Sequence, residues 1–312
     1  MKNSTNPFRK NPLFLRNCIG IGAGYFGATL IGGMVSSFFS FYLTDVMYLP
    51  AHMVGIIIGV SAVIDGVTDF IMGVIEDNTS SRWGKARGWV LFFAAPLALS
   101  MFLLFCVPTS ISLTGKIVYV VIIYTLYCLA YTIVHLPLIT LNALTSADSS
   151  ERALLSTISM FFSMGTGMVV SNLLVPLVTA FGGGSDGYRN TALPFSLFGL
   201  SCLFLSVGLT REIPVPVSGK KFSIRELFIQ LKALFSNKYW WLMNLCAVFN
   251  SFGFMIINNM QTYYCRYVVG DLSRIGILFS CATLSQMVAM PLAAPLIVRF
   301  GKKKTAICGG LL

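Results

Sequence analysis

The sequence predicts an all-α polytopic membrane protein: a six-helix bundle followed by an incomplete second bundle. Three observations carry this. Of 312 residues, 56% are hydrophobic and 11% charged, with mean hydropathy +0.79; a soluble domain carries about 25% charged residues. The apolar residues fall into eight long runs, each reaching or approaching the roughly 20 residues that a bilayer-crossing helix needs. Of the 22 Lys and Arg, 18 lie in the N-terminal tail and in the loops after runs two, four, six and eight. That bias marks the cytoplasmic side and puts the N-terminus there. The net charge of +11 is therefore spread in short clusters between spans. It is not the footprint of a nucleic-acid binder.

The elements follow in order. A tail, 1–17, holds Lys2, Arg9, Lys10 and Arg16 and precedes a first span at about 18–43. Gly20, Gly22, Gly24, Gly27, Gly32 and Gly33 in that span predict close helix packing in lipid. After a turn, span two (52–76) carries Asp65 and Asp69, and a short basic loop, DNTSSRWGKARGW, occupies 77–89. Span three is 90–107, and span four is 116–144 with His135 and Pro137. A loop with Asp148, Glu151 and Arg152 leads to span five at 154–181. GGGSDGYRN reads as a turn before span six at 191–209. The longest polar stretch, 211–238, includes SIRELFIQLKALF, which predicts an amphipathic helix on an anionic leaflet. Spans seven (239–269) and eight (275–298) follow, then Arg299, Lys302, Lys303 and Lys304, and a ninth apolar run begins at Thr305. Six spans, a linker and further spans give tail 1–17, first bundle 18–210, linker 211–238 and partial second bundle 239–312. The eight cysteines are scattered without a CxxC pair and read as small core residues. The first apolar run is too long for a cleavable signal.

The chemistry centres on VSAVIDGVTDFIMGV, residues 60–74. Between positions 49 and 73, Asp65 and Asp69 are the only Asp, Glu, Lys or Arg. A carboxylate near the middle of a bilayer costs about 3 kcal/mol on insertion scales. Four residues apart, both point the same way on a helix, with the Thr68 hydroxyl on the adjoining arc. Two like charges in a dry site need something positive to join them. A proton, a sodium ion or a basic side chain would serve. No Lys or Arg lies inside spans one to six, so His135 is the internal basic candidate. Pro137 frees a backbone carbonyl about one turn earlier, which predicts an irregular, polar spot near His135. A histidine there would titrate within reach of physiological pH. In span seven, Asn250, Asn258, Asn259 and Gln261 are amides in an apolar helix. Amides facing lipid are costly, so some of them face a cavity, with Asn258 and Asn259 the candidates for a solute. No Gly-rich phosphate loop, HExxH or plausible Ser/His/Asp set asks for an enzyme.

DGVTDFIMGVIEDNTSSRWGKARGW resembles the signature of the glycoside–pentoside–hexuronide:cation symporters, the melibiose-carrier type of the major facilitator superfamily. YLTDV in span one, YTIVHLP in span four, the Asn142 and Glu151–Arg152 region, and YYCRYVVGD at the end of span seven extend the likeness along nearly the whole chain. The resemblance implies the twelve-helix major facilitator fold, here cut short in helix nine, and symport of a sugar-like solute with sodium or a proton. It places the cation against Asp65, Asp69 and Thr132, with Thr68 standing where the melibiose carrier has an asparagine. It also implies departures at the sugar site. Ala28–Thr29 replaces a Lys–Asp pair, Ala62 and Met160 replace arginines, His135 replaces an aspartate and Ile139 a tryptophan. The solute candidates are then Thr29, Tyr131, His135, Asn258 and Asn259, with Tyr25 and Phe26 as further rings for stacking. In this fold the SRWGKAR loop looks like a cytoplasmic gate. Arg82, Lys85 and Arg87 would face acidic partners such as Asp77, Asp148 or Glu151, with Arg152 a further gate residue. The expected partners are a small solute and the lipid bilayer, with no nucleic acid, no obligate protein partner and no cofactor beyond the coupling ion. Two alternatives stay open: a solute-binding relic that does not transport, and a cation-coupled lysolipid carrier.

Overall fold

The computed structural model describes residues 12–79, 81–146, 148–213 and 235–300. The ninth apolar run, Lys302 to Lys304, and the SIRELFIQLKALF stretch up to residue 234 lie outside the described residues. So does most of the tail. Among the described residues eight α-helices follow one another: α1 (Pro12–Phe41), α2 (Ala51–Asp77), α3 (Arg87–Leu104), α4 (Leu113–Leu144), α5 (Ser149–Ala180), α6 (Gly184–Leu209), α7 (Lys238–Tyr264) and α8 (Ile275–Phe300). Among the described residues, eight segments are long and apolar enough to cross a membrane.

Most boundaries fall within a few residues of the hydropathy reading; two do not. α1 begins at Pro12, which suits a first helical position because a missing N–H costs nothing there. α6 begins at Gly184, so most of the expected GGGSDGYRN turn is helical. Gly182, Gly183 and Gly184, at φ +95°, +68° and +58°, complete the reversal by themselves. Asp186 then complements the helix dipole in the first turn and pairs with Arg189 at 3.1 Å. Pro137 does not break its helix either; α4 continues through it to Leu144.

α1 is the hub. It packs chiefly on α6 and α5, and more lightly on α7 and α4, while α3 lies against α4 and α6. Its glycines let α6 approach: a Cβ built on Gly27 would sit 2.6 Å from the Gly199 carbonyl oxygen. With lipid outside, such packing substitutes for a hydrophobic drive. Gly27→Leu is therefore expected to cost about 1–3 kcal/mol through overpacking. Thermal unfolding in detergent reads it; a leucine variant melting with the parent would mean that this contact is loose.

α2 is placed differently. It packs against α4 and the turn after α1. Ile56, Val60, Val63, Val67 and Phe70, on one helical stripe, are all about half exposed or more. The opposite stripe, including Val54, Ile57, Ser61, Met72 and Glu76, is buried. An apolar outer stripe suits a lipid or helix neighbour. The α2–α4 seam is thus the place where the aspartates point inward.

Candidate functional site

Asp65 and Asp69 meet α4 at Thr132. The Thr132 hydroxyl oxygen lies 2.8 Å from Asp65 Oδ1 and 3.0 Å from Asp69 Oδ1, and Thr132 is buried. A hydroxyl owns one proton and fully satisfies one acceptor with it. A second carboxylate oxygen at the same distance requires another positive centre, either a proton on one carboxyl or a cation among the oxygens. No Lys or Arg among the described residues forms an ion pair with the aspartates. Among the described residues the ion pairs are Lys85–Asp77, Arg189–Asp186 and Arg274–Asp271, none of which reaches the aspartates. Asp65 is half-buried and Asp69 is exposed at the edge of the seam, so the pair has access from one side.

Thr68 does not join this set through its proton. Its hydroxyl donates at 2.9 Å to the Asp65 backbone carbonyl, the local bond that threonines commonly make within helices. The three oxygen-bearing side chains brought together are those of Asp65, Asp69 and Thr132. Thr132→Val keeps the shape and deletes the hydroxyl. A hydrogen bond to a charged group is worth about 1.5–3 kcal/mol, so cation affinity is expected to fall roughly tenfold or more. The half-saturating cation concentration measures this, and Thr132→Ser should restore it.

Beside the pair, α4 carries a ladder of rings facing α1. Tyr131 stacks on His135 at 5.1 Å and 15°, and Tyr25 of α1 meets His135 edge-on at 6.4 Å. Gly32 of α1 makes room for Tyr131. Tyr25 itself accepts from Asn142 Nδ2 at 3.1 Å, and Ser159 donates to the same amide at 3.3 Å. Thr29 turns away from the ladder towards α5, where its hydroxyl donates to Ser163 at 3.2 Å. Asn259 is also elsewhere. It accepts from Ser40 at 3.5 Å and lines a cavity at the far end of α1. The side chain of Asn258 lies outside the described ones. Of the expected solute residues, Tyr131 and His135 share this ladder, and Tyr131 is the sequence neighbour of Thr132.

The SRWGKAR loop makes one of the ion pairs expected of it. Lys85 Nζ lies 2.9 Å from Asp77. The other basic residues find different partners. Arg82 lies over the ring of its neighbour Trp83, and Arg87 donates to the Val207 carbonyl from Nε and Nη2. Glu151 accepts from Ser146 at 2.5 Å, and Arg152 is exposed. The acid that organises this end is Glu212, which sequence reading passed over. Its carboxylate accepts from the backbone N–H groups of Lys85 (2.6 Å), Ala86 (3.1 Å) and Arg87 (2.7 Å). Those are orphan donors at the start of α3, where a negative charge is favoured. Nearby, Arg16 donates to the Gly208 carbonyl at 2.7 Å, and the Arg211 N–H donates to Asn17 at 3.0 Å. Residues 207–213 therefore strap the ends of α1, α3 and α6 together.

At the opposite end, two stretches quoted from the sequence meet. YLTDV and CRYVV each form a π-helical turn, Tyr42–Val46 after α1 and Cys265–Val269 after α7. Thr44 and Tyr263 share a hydrogen bond at 3.0 Å, and Tyr267 donates to Asp45. They line a cavity of about 1170 Å³ with Tyr188, Asn259 and Arg266. The turns repeat in the first and seventh helices, as expected of two related halves.

The sequence profile of the MFS/sugar transport protein family matches residues 20–312. The chain belongs to this family. Within this sugar-transport family it is 29% identical over 286 residues to the inner membrane symporter YicJ of Escherichia coli, covering 91% of this chain and 61% of that protein. It is 28% identical to the isoprimeverose transporter of Lactiplantibacillus pentosus, covering 92% of this chain and 60% of the relative. It is 26% identical to the glucuronide carrier protein homolog of E. coli, covering 95% and 65%. The chain thus spans about three-fifths of the length of these relatives. Family membership and the helices agree on a multi-pass membrane protein of the major facilitator type.

Proposed function

We propose that the protein is a secondary active transporter that couples import of a small sugar or glycoside to a cation by alternating access. The observation that carries this reading is the Thr132 hydroxyl held against two membrane carboxylates from another helix. The names of the relatives, symporters and carriers of sugars, point to the same class of activity. The coupling ion is Na⁺ or H⁺, bound at Asp65, Asp69 and Thr132, and the solute lies against Tyr131 and His135. In this reading residues 18–210 form one bundle and 239–312 belong to a second, with the Lys- and Arg-rich ends in the cytoplasm.

Coupling follows from one shared equilibrium. A doubly charged seam resists reorientation, whereas a seam whose charge a cation lowers and whose space solute fills resists it less. Each ligand then raises the affinity of the other by the same factor, typically about 5–150-fold. Uptake of labelled glycosides, pentosides and hexuronides into membrane vesicles tests this, with an imposed Na⁺ or H⁺ gradient and without one. Accumulation that needs the gradient supports the reading. Binding without accumulation would favour the relic, and competition by lysolipids but not sugars would favour the lipid carrier.

A further inference from the structure

The α2–α4 seam holds a third carboxylate, one that the cation site does not use. Asp65, Asp69, Met72 and Glu76 stand at i, i+4, i+7 and i+11, one stripe of α2. Glu76 is seven residues, or about 10 Å, beyond Asp69 towards the basic end. It is 4% exposed, and its Oε1 has no hydrogen-bond partner. The hydroxyl beside it is Thr140 of α4, eight residues beyond Thr132 on the helix that faces the aspartates. That hydroxyl also lies 3.3 Å from the Leu136 carbonyl of its own helix, so its one proton serves two acceptors. The charges acting on Glu76 are Lys85, Asp77 and Glu212. Lys85 is paired with Asp77, and Glu212 is occupied by the start of α3.

We propose that Glu76 is a proton-binding site, separate from the Asp65–Asp69 pair and placed between that pair and the basic end of the bundle. An ionised Glu76 would need several donors, whereas Thr140 offers one shared hydroxyl proton and Glu76 Oε1 has no partner. The acid form instead carries its own donor, and Thr140 Oγ1 has lone pairs to accept it. Burial favours the neutral form in the same direction. A sodium ion does not suit the position. Hard cations gather on the order of six oxygens, and Glu76 with Thr140 offers two carboxyl oxygens and one hydroxyl. As a station for protons leaving the Asp65–Asp69 pair, the site rests on the symport reading; as a site that holds a proton, it does not.

Infrared spectra of the purified chain, reconstituted in phosphatidylcholine–phosphatidylglycerol vesicles at neutral pH, test it directly. A protonated carboxyl gives a carbonyl band apart from those of ionised carboxylates, and the band shifts in D₂O. The expected result is such a band in the parent that is lost in Glu76→Gln and moved in frequency in Glu76→Asp. It should persist in the Asp65→Asn, Asp69→Asn double variant. Glu76→Asp keeps the carboxyl, so it guards against loss of the band through misfolding. A parent without the band, or one whose band survives Glu76→Gln, would overturn the proposal. A band lost only in the double variant would assign the proton to the aspartate pair and overturn it equally. Because the readout involves no uptake, failure of the symport reading would leave this result standing.

Discussion

Asp65→Asn and Asp69→Asn are each expected to reduce cation-stimulated uptake to the level seen without a gradient. The two carboxylates and Thr132 form a single site, so losing either carboxylate removes both charge and ligand from it. With one carboxylate left beside Thr132, a cation has fewer oxygens and less charge to hold it, so it binds too weakly to drive uptake. With both removed, the seam is neutral at all times and reorientation no longer depends on the cation. The double variant should therefore still exchange solute across the membrane while failing to accumulate it. Vesicle uptake and counterflow, run side by side, separate these outcomes. Single variants that accumulate solute like the parent would remove the aspartates from the mechanism.

The second large effect is structural. Glu212→Ala leaves three backbone N–H groups at the start of α3 without their acceptor. Loss of a capping side chain and of a negative charge at a helix N-terminus together cost about 2 kcal/mol. That corresponds to a roughly 30-fold change in a local opening equilibrium. Hydrogen exchange at Lys85, Ala86 and Arg87 should accelerate accordingly, while amides in the middle of α3 stay protected. Gly84 reports on the same contact from the other side. Its φ is +103°, and a Cβ there would come within 2.6 Å of Glu212 Oε1. Gly84→Ala should therefore open the same amides. Unchanged protection in both variants would mean that the strap is decorative.

These two sites differ in how far the sequence announces them. Asp65 and Asp69 stand out because a charge inside an apolar run is expensive wherever the helix ends up. Their spacing also fixes their common face without knowledge of any neighbour. Thr132 is different: an ordinary hydroxyl in a helix is noticed only through the likeness to the symporters. Its place against the aspartates depends on how α2 and α4 pack. Glu212 was invisible because its partners are main-chain N–H groups up to 127 residues away, which no side-chain pattern records. The same reasoning explains the partners found at the SRWGKAR loop. Charges of opposite sign near one another in sequence suggested pairs, but Arg87 is taken by the Val207 carbonyl and Glu151 by Ser146. Glu76, next to the more obvious Asp77, is read as the last charge before a loop until its burial is known. Span positions, by contrast, follow from hydropathy, which needs no partner. The difference at 182–190 is one of turn length: three glycines at positive φ suffice for the reversal, and the helix starts at Gly184.

The most direct test of the account is cation binding itself. Purified protein in detergent is titrated calorimetrically with Na⁺ at fixed pH, and proton uptake is followed at fixed Na⁺. The parent, Thr132→Val and the Asp65→Asn, Asp69→Asn double variant are compared. The account predicts one monovalent cation, Na⁺ or H⁺, bound by the parent, bound roughly tenfold more weakly by Thr132→Val, and not bound by the double variant. A double variant that binds the cation with the affinity of the parent would place the site elsewhere and contradict the account.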